Sequence, residues 1–357
     1  MEIDFADVML ETMRQGASDL HLTAGSPPLI RIRGQLQTLD TPKLTPQAVR
    51  EIVYSILTDD QRKRLENDWQ IDFAYSLPGA ARFRVNAYFQ RASIGAAFRL
   101  IPSDMPRLDS LGLPPVLREF TRKPRGFVLV TGPTGSGKST TLAAMLDVIN
   151  DERHEHIMTI EDPIEFLHKH KRCIVNQREL GADAKSFGLA LKGALRQDPD
   201  VILVGEMRDL ETIATALTAA ETGHLVFATL HTQDTAQTVD RIVDVFPPSQ
   251  QQQVRVQLSV ALQGIVTQQL LPSADGKGRA VAAEILVPTP AVRNLIREGK
   301  THQIYSALQT GGATGMQTMD AALADLVREQ KISRELAEAR SSTPDELRRL
   351  MGTVKVA

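Results

Sequence analysis

The sequence predicts an α/β fold in two domains, and three observations indicate it. A glycine-rich motif, GPTGSGKS, lies between a short apolar segment and a segment with helical spacing. After this motif, apolar strand-like segments alternate with helical ones, which is typical of a parallel sheet covered by helices. Before it, a proline-rich stretch follows a region of short strands. The chain has 357 residues, and domains usually contain about 100–200 residues, so more than one is expected.

Composition is typical of a globular protein with mainly aliphatic cores, because 42% of residues are hydrophobic, 24% are charged and 4% are aromatic. The formal net charge of −2 gives no overall field that would attract nucleic acid, and we expect no nucleic-acid partner. Cys173 is the only cysteine, so an intrachain disulfide and a four-cysteine zinc site are excluded. We expect it to be a small buried residue in a protein of a reducing compartment.

Nothing in the sequence resembles an export or membrane signal. The first fifteen residues carry acids where a signal peptide needs bases, and no apolar stretch approaches the ~20 residues of a membrane span. A cytoplasmic location is therefore expected.

Residues 1–101 are the predicted first domain. It opens with an amphipathic helix, continues with short strands, and has a second helical stretch over residues 47–65. Residues 82–89 alternate, with an apolar face that includes Phe83 and Phe89 and a polar face that includes Arg84. We expect the apolar face to pack and the polar face to be free to act.

Five prolines in residues 102–124 predict a linker, because proline prevents a helix longer than one or two turns. Residues 125–357 are the predicted second domain, with a mostly helical tail from about residue 288. An apolar stripe from Val254 to Val266 has helical spacing. The predicted strands of its sheet are residues 127–130, 157–160, 201–204 and 225–230, and helices are predicted over residues 187–196 and 210–220. In such sheets, ligands bind at the carboxyl ends of the strands.

The motif matches the phosphate-binding pattern GxxxxGK[ST], and its position between a strand and a helix is the context that its chemistry needs. Glycines allow backbone N–H groups to turn toward phosphate oxygens, and the helix start adds a partial positive charge. Lys138 would contact the β and γ phosphates and Ser139 would ligate Mg²⁺. A plain glycine-rich turn is the alternative. The predicted nucleotide-binding residues are Gly132, Pro133, Thr134, Gly135, Ser136, Gly137, Lys138, Ser139 and Thr140.

Glu206 is the candidate for the carboxylate that polarises the attacking water, since it follows the apolar segment 201–204. The acidic pair usual at this point is incomplete, because Gly205 stands where a Walker B aspartate would hold Mg²⁺ through water. The alternative is that Glu206 is a surface acid paired with Arg208.

A second acidic cluster contains Glu161, Asp162 and Glu165. Carboxylates this close repel one another unless cations intervene, so Glu165 and Glu161 are candidates to share Mg²⁺ with Ser139. The alternative is an acidic loop in which Asp162 only caps a turn.

Two histidines bracket the predicted strand 225–230 and cannot serve one site within a chain, because seven residues of strand span ~23 Å. His231, at the carboxyl end, is the candidate to sense the γ-phosphate, whereas His224 is expected to pack or to meet a neighbour. Arg84 and Arg99 are candidate arginine fingers that act from the other domain or another subunit. Ordinary exposed strand arginines are the alternative.

With these motifs in view, the chain resembles the twitching-motility retraction ATPases of bacterial type IV pili, within the secretion ATPase superfamily. The resemblance covers nearly the whole chain. It rests on GASDLHL at 16–22, ARFRVNAY at 81–88, the phosphate loop, TIEDPIEF at 159–166, VGEMRD at 204–209, TGHLVFATLHT at 222–232 and AVRNLIRE at 291–298.

The resemblance implies a PAS-like α+β first domain, a RecA-like P-loop ATPase domain with a helical C-terminal part, and a homo-hexamer with ATP sites between domains. It implies ATP and Mg²⁺ as ligands, and a site that contains Glu165, Glu206, His231, Arg84 and Arg99. An inner-membrane pilus platform protein is the implied partner, with the protein bound peripherally from the cytoplasmic side, and a cooperating sister retraction ATPase is left open. Gly205 matches this family.

The function expected is that of an ATP-hydrolysing motor for pilus retraction. Assembly ATPases of the same superfamily are the first alternative, although they carry extra N-terminal sequence and often a four-cysteine zinc site. A RecA-like DNA translocase would show duplex-stimulated hydrolysis, which the near-neutral charge argues against. A P-loop kinase or regulatory switch would be a monomer that transfers phosphate to a small acceptor.

Overall fold

The computed structural model describes residues 4–77, 80–102 and 104–352, which form two compact units. The first comprises the described residues up to Asp104 together with Glu165–Leu167, and the second comprises Met105–Ile164 and the residues from His168 onward. The predicted domains and linker also include residues 1–3, 78–79, 103 and 353–357, which lie outside the described residues.

The first unit contains a six-stranded sheet in which all neighbouring strands are antiparallel, in the order β3-β2-β1-β6-β5-β4. Its core contains Phe83 and Phe98, which are fully buried and meet edge to face with ring centroids 6.5 Å apart. The apolar faces of three helices belong to the same core. The elements are α1 Phe5–Arg14, β1 Asp19–Leu22, β2 Leu29–Ile32, β3 Gln35–Thr38, α2 Pro46–Ser55, α3 Asp59–Asp68, β4 Gln70–Leu77, β5 Ala81–Gln90 and β6 Ser93–Ile101.

Two predictions for this unit are wrong in detail. The single helix expected over residues 47–65 is two helices, because Thr58 starts α3 with a capping box: its hydroxyl accepts the N–H of Gln61, and the Gln61 side chain accepts the N–H of Thr58. Phe89 does not pack with the apolar face of β5 and is 37% exposed, because it lies near the strand end, where its N–H bonds the carbonyl of Trp69.

The second unit contains a seven-stranded sheet in the order β13-β12-β7-β11-β10-β8-β9, parallel except for the antiparallel edge strand β13. Its strands are β7 Gly126–Thr131, β8 His156–Glu161, β9 Ile174–Glu179, β10 Val201–Val204, β11 Leu225–Leu230, β12 Leu262–Pro272 and β13 Arg279–Leu286. Its α-helices are α4 Val116–Thr121, α5 Lys138–Glu152, α6 Phe187–Ala194, α7 Leu210–Glu221, α8 Thr235–Asp244, α9 Pro248–Ala261, α10 Pro290–Arg297, α11 Ile304–Thr310, α12 Met319–Arg328, α13 Arg334–Arg340 and α14 Pro344–Met351.

Helices cover both faces of this sheet. Along β7, Phe127 and Leu129 join one core cluster with α6–α9, whereas Val128 and Val130 join the opposite cluster with α5. A strand that is buried on both faces has a continuous run of apolar residues, and this is why four of these strands could be predicted from the sequence. The α/β fold class is confirmed.

The C-terminal half of the unit corrects one expectation. The apolar stripe from Val254 to Val266 is not one helix, because α9 ends at Ala261 and the chain continues directly as β12. Val266 is instead a strand residue that pairs with Val130 of β7. The helical tail is present as α10–α14, and α12–α14 enclose a separate small core against the outer halves of β12 and β13.

Candidate nucleotide site

The glycine-rich motif forms a loop between β7 and α5, as predicted. Gly132, Gly135 and Gly137 have φ of 135°, 79° and 89°, a backbone region that side chains disfavour. At Gly132 a Cβ would come within 2.3 Å of the main-chain oxygen of Gln268, so glycine is required there for packing as well as for conformation.

The start of α5 is suited to bind an anion. Gly137 precedes the first helical residue, and in the described part of the chain no side chain caps this helix start. Its first N–H groups are therefore available to phosphate oxygens, and the helix dipole favours negative charge there. Pro133, Thr134 and Gly135 are exposed, whereas Ser136 is buried and only 3% exposed. Ser139 and Thr140 are half-buried in the first turn of the helix.

Lys138 lies folded back over the loop. Its Nζ donates to the carbonyl oxygen of Gly132 at 2.8 Å and to that of Pro133 at 3.1 Å. These contacts keep the ammonium group beside the loop where a phosphate would bind. A phosphate oxygen is a stronger partner for an ammonium than a neutral carbonyl, so the lysine can exchange these bonds for the ligand.

The sheet brings the other second-unit candidates to the same edge. The parallel strands β7, β11, β10 and β8 are neighbours, so their carboxyl ends align. In register, Val204 lies beside Ile160 and Ala228, and Leu230 lies beside Thr131. Glu161 is the last residue of β8, and Glu206 and His231 follow the ends of β10 and β11, so all three lie along the edge that carries the glycine-rich loop.

Gly205 is explained by the crowding between β10 and β8. Its N–H donates to the carbonyl oxygen of Ile160 at 2.7 Å, and a Cβ would lie 3.1 Å from that oxygen and 3.2 Å from the Cα of Glu161. An aspartate here would push against the neighbouring main chain. The departure from the usual acidic pair is therefore a consequence of how closely these two strand ends approach.

Glu206 is the centre of a charged cluster. Its Oε2 lies 2.6 Å from Nη2 of Arg208, and its Oε1 lies 3.0 Å from Nε2 of His231. The Arg208 pairing proposed as the alternative is thus present, together with the histidine contact that the sequence did not predict. The hydrogen bond from Arg208 lowers the pKa of the Glu206 carboxyl, an effect that outweighs the opposing influence of burial. Glu206 is therefore ionised at neutral pH, as a proton acceptor must be.

Glu161 and Glu165, the two acidic candidates near the end of β8, have different surroundings. Glu161 is half-buried, and its Oε1 accepts hydrogen bonds from the hydroxyl of Thr159 at 2.6 Å and from the amide of Gln177 at 3.1 Å. Glu165 is exposed and belongs to the first compact unit. Among the described residues, no group of three or more His, Cys, Asp or Glu side chains is arranged to hold a metal ion. A Mg²⁺ site at Ser139, Glu161 and Glu165 stays a prediction.

His224 makes local hydrogen bonds at the end of α7. Its Nδ1 lies 3.0 Å from the carbonyl oxygen of Ala219, and its own N–H also bonds that carbonyl, so it caps the end of α7. Its carbonyl oxygen accepts the N–H of Gly126 at the start of β7. Cys173 is buried, as predicted, and burial raises the pKa of its thiol.

In the first unit, Arg84 and Arg99 stand directly opposite each other on β5 and β6. Like charges at such positions repel, which favours an anion near them. Nε of Arg99 donates to Oδ1 of Asp19 at 2.9 Å, whereas Nη2 of Arg84 is 4.0 Å from the nearest oxygen of Asp72. Burial works to raise the pKa of Asp19, but hydrogen bonds from Ser18 and Arg99 hold it below the usual value. The arginine side chains are 49% and 71% exposed.

The fold and the loop together define the class: a P-loop nucleotide-binding protein with a RecA-like sheet and an additional antiparallel domain. In the described residues, no helix is long and apolar enough to cross a membrane.

Comparison with known proteins extends this assignment. Residues 1–349 match the family model described as Type II/IV secretion system protein, and the chain belongs to that family. It is 53% identical over 343 residues to the type IV pilus retraction ATPase PilT of Pseudomonas aeruginosa, which covers 96% of this chain and 99% of PilT. It is 41% identical over 346 residues to the type IV pilus ATPase PilU of the same organism, covering 97% of this chain and 91% of PilU.

A solved structure is also closely similar. The crystal structure of the pilus retraction motor PilT with bound ADP superimposes with a TM-score of 0.91 at 51% identity, and the match covers 98% of this chain and all of that one. The predicted resemblance to the retraction ATPases of the secretion superfamily is confirmed.

Proposed function

We propose that this protein is a Mg²⁺-dependent ATPase that powers the retraction of type IV pili. The observation that carries the proposal is the near full-length similarity to PilT, combined with an intact phosphate loop and an ionised Glu206 at the neighbouring strand end. The ADP bound in the PilT structure supports an adenine nucleotide as the ligand.

Glu206 is the group that we propose activates water. Its carboxylate is ionised, lies at the carboxyl end of β10, and already has a cationic and an imidazole partner. Loss of the contact with Arg208 or His231 would release an oxygen to accept a proton from water. His231, 3.0 Å from Glu206, is placed to couple the state of the γ-phosphate to the orientation of that carboxylate.

The residues present fit Mg²⁺ as a nucleotide-borne ion. Mg²⁺ keeps several waters and usually takes one or two protein oxygens plus phosphate, so a site without three clustered carboxylates suits it. Ser139, Glu161 and Glu165 would hold it, directly or through water. When bound, it would neutralise charge on the β and γ phosphates.

Arg84 and Arg99 supply, in this proposal, the positive charge that the transition state needs beyond Lys138. The paired like charges on an exposed sheet face support this role. Mixing two inactive variants would show whether these arginines act within one chain or on a neighbouring subunit. A Lys138 variant and an Arg84 variant regain activity together only if the arginine acts between subunits.

The domains, assembly and partners belong to the same proposal. Residues 1–101 would be the PAS-like domain, 102–124 the linker and 125–357 the RecA-like ATPase domain. The boundary of the first compact unit at Asp104 supports the end of the first domain, whereas residues 105–124, which include α4, belong to the second unit. A homo-hexamer at the cytoplasmic face of the inner membrane would act on a pilus platform protein. The similarity to PilU supports a sister ATPase as a further partner.

Deletion of the gene and complementation test the function. Loss of the protein should raise surface pilus number and abolish surface motility, and the wild-type chain should restore both. Glu206→Gln should not restore them, and as a purified protein it should bind ATP but hydrolyse it at least ~100-fold more slowly, because the base is lost. Wild-type turnover by Glu206→Gln would remove it from this role. A drop in pilus number after deletion would favour a pilus-assembly function instead.

A further inference from the structure

A buried glutamine on β12, outside the glycine-rich motif, contacts the phosphate loop from the protein interior. Gln268 is 1% exposed and uses both ends of its amide. Its Nε2 donates to the carbonyl oxygen of Ser136 at 2.6 Å, and its Oε1 accepts the hydroxyl of Thr141 at 2.9 Å. One side chain therefore joins the loop to the first turn of α5.

The bond to Ser136 determines the direction of a phosphate-binding group. In a trans peptide unit the carbonyl and the following N–H point in opposite directions. Because Gln268 holds the Ser136 carbonyl toward the interior, the N–H of Gly137 points away from Gln268, toward the exposed side of the loop. Gly137 has φ of 89°, so its own conformational preference does not secure this orientation.

The surroundings leave Gln268 little freedom. A Cβ at Gly132 would collide with its main-chain oxygen, and a Cβ at Gly137 would lie 3.1 Å from its Nε2. The preceding residue, Thr267, pairs with Thr131 through their hydroxyls at 2.7 Å, next to the loop. The oxygen and the nitrogen of the Gln268 side-chain amide each have a buried hydrogen-bond partner, so the amide needs no water or further side chain as a partner.

We propose that Gln268 is a positioning residue for phosphate binding: it fixes the peptide between Ser136 and Gly137 so that the loop is arranged before nucleotide arrives. This inference rests on the nucleotide-binding part of the proposed function. The contact is present without nucleotide, and the proposal requires it to be the same with ATP or ADP bound, so its loss should weaken binding more than it slows the chemical step.

The test uses Gln268→Met, which keeps the volume but leaves the Ser136 carbonyl and the Thr141 hydroxyl unpaired. The matched control is Gln269→Met, on the adjacent residue, which is half-buried on the other face of β12. We expect Gln268→Met to raise the Kd for ADP and the KM for ATP about tenfold, with kcat changed less than about threefold. Gln269→Met should leave all three near wild type.

The melting temperature of the ligand-free protein separates positioning from simple stabilisation. A lower melting temperature with an unchanged Kd for ADP in the folded variant would overturn the inference. If Gln268→Met does not fold, Thr141→Val removes, in a nearly isosteric way, the bond that orients the Gln268 amide toward Ser136. The inference requires that orientation, so a Kd within experimental error of wild type would overturn it equally. Failure of the wild-type protein to bind ADP would overturn the proposed function as well, whereas wild-type binding with an unaffected variant overturns this inference alone.

Discussion

The phosphate loop and the Glu206 cluster lie at neighbouring strand ends of one sheet, yet they are held in different ways. The loop is fixed by main-chain atoms, by glycines in conformations that side chains disfavour, and by the buried amide of Gln268. The Glu206 cluster is fixed by three side chains, of which Arg208 and His231 are 63% and 49% exposed.

This difference separates binding from chemistry. A loop that is anchored by glycine conformations and by a buried amide cannot rearrange without losing these contacts, so it is prepared for phosphate in advance. An ion pair between partly exposed side chains can be exchanged at little cost, because exposed pairs contribute at most about 1 kcal/mol. We therefore expect changes in the loop to alter affinity, and changes in the Glu206 cluster or the arginine pair to alter turnover.

The largest effect on the binding side should come from Lys138→Ala. The ammonium group is the one charged side chain of the motif, and we expect nucleotide affinity to fall at least ~100-fold, since hydrogen bonds to charged groups are the strong ones. Isothermal titration with ADP measures this. Lys185→Ala, on an exposed lysine of the same unit, is the control and should bind normally. Tight binding by Lys138→Ala would mean that the loop backbone alone suffices.

Arg84→Ala should produce the next largest change, in turnover instead of affinity. We expect kcat to fall roughly 30-fold with the Kd for ADP changed little, because an arginine finger acts mainly on the transition state. Steady-state hydrolysis and solution mass are measured together, with Arg14→Ala on the same unit as the control. If assembly and hydrolysis both survive in Arg84→Ala, the arginine has no catalytic role.

Arg208→Gln should give the smallest effect, a shift in pH dependence. Arg208 is the main cause of the lowered pKa of Glu206, so its removal should return that pKa toward the ordinary value. A base must be ionised, and the acid limb of the rate profile should move to higher pH, with little change near neutrality. By the same linkage, the stability contributed by the ionised Glu206 is present above its unfolded-state pKa and is lost as pH falls.

The pH experiment has a matched control and one outcome that would contradict the prediction. Arg196→Gln, an exposed arginine of the same unit, should leave the acid limb in place. An unmoved limb in Arg208→Gln would mean that another group titrates in the wild-type profile.

Local patterns determined how much could be predicted. The loop, the buried strands β10 and β11 and the position of Glu206 at a strand end are each encoded within a few consecutive residues. The break at Thr58 was missed although its capping box, Thr58 with Gln61, is also encoded within a few residues. The change from α9 to β12 was missed because Ile265 and Val266 continue the helical spacing of the apolar residues before them.

Contacts between distant segments could not be read from the chain. Gln268 meets Ser136 across 132 residues, and nothing near it marks one of two adjacent glutamines as buried. The contact between Glu206 and His231 depends on the register of β10 against β11, which the sequence does not state. The Arg84 and Arg99 pairing similarly follows from the register of β5 against β6.

The most direct measurement is a crystal structure of the wild-type protein with Mg²⁺ and a non-hydrolysable ATP analogue. We predict that the loop backbone keeps its present path within about 1 Å and that Lys138 leaves the Gly132 carbonyl for a phosphate oxygen. We also predict that a Glu206 oxygen lies within about 3 Å of a water in line with the γ-phosphate. A rebuilt loop, or Glu206 still closed on Arg208 and His231 with no water between it and the γ-phosphate, would contradict the division between a fixed binding loop and a movable catalytic cluster.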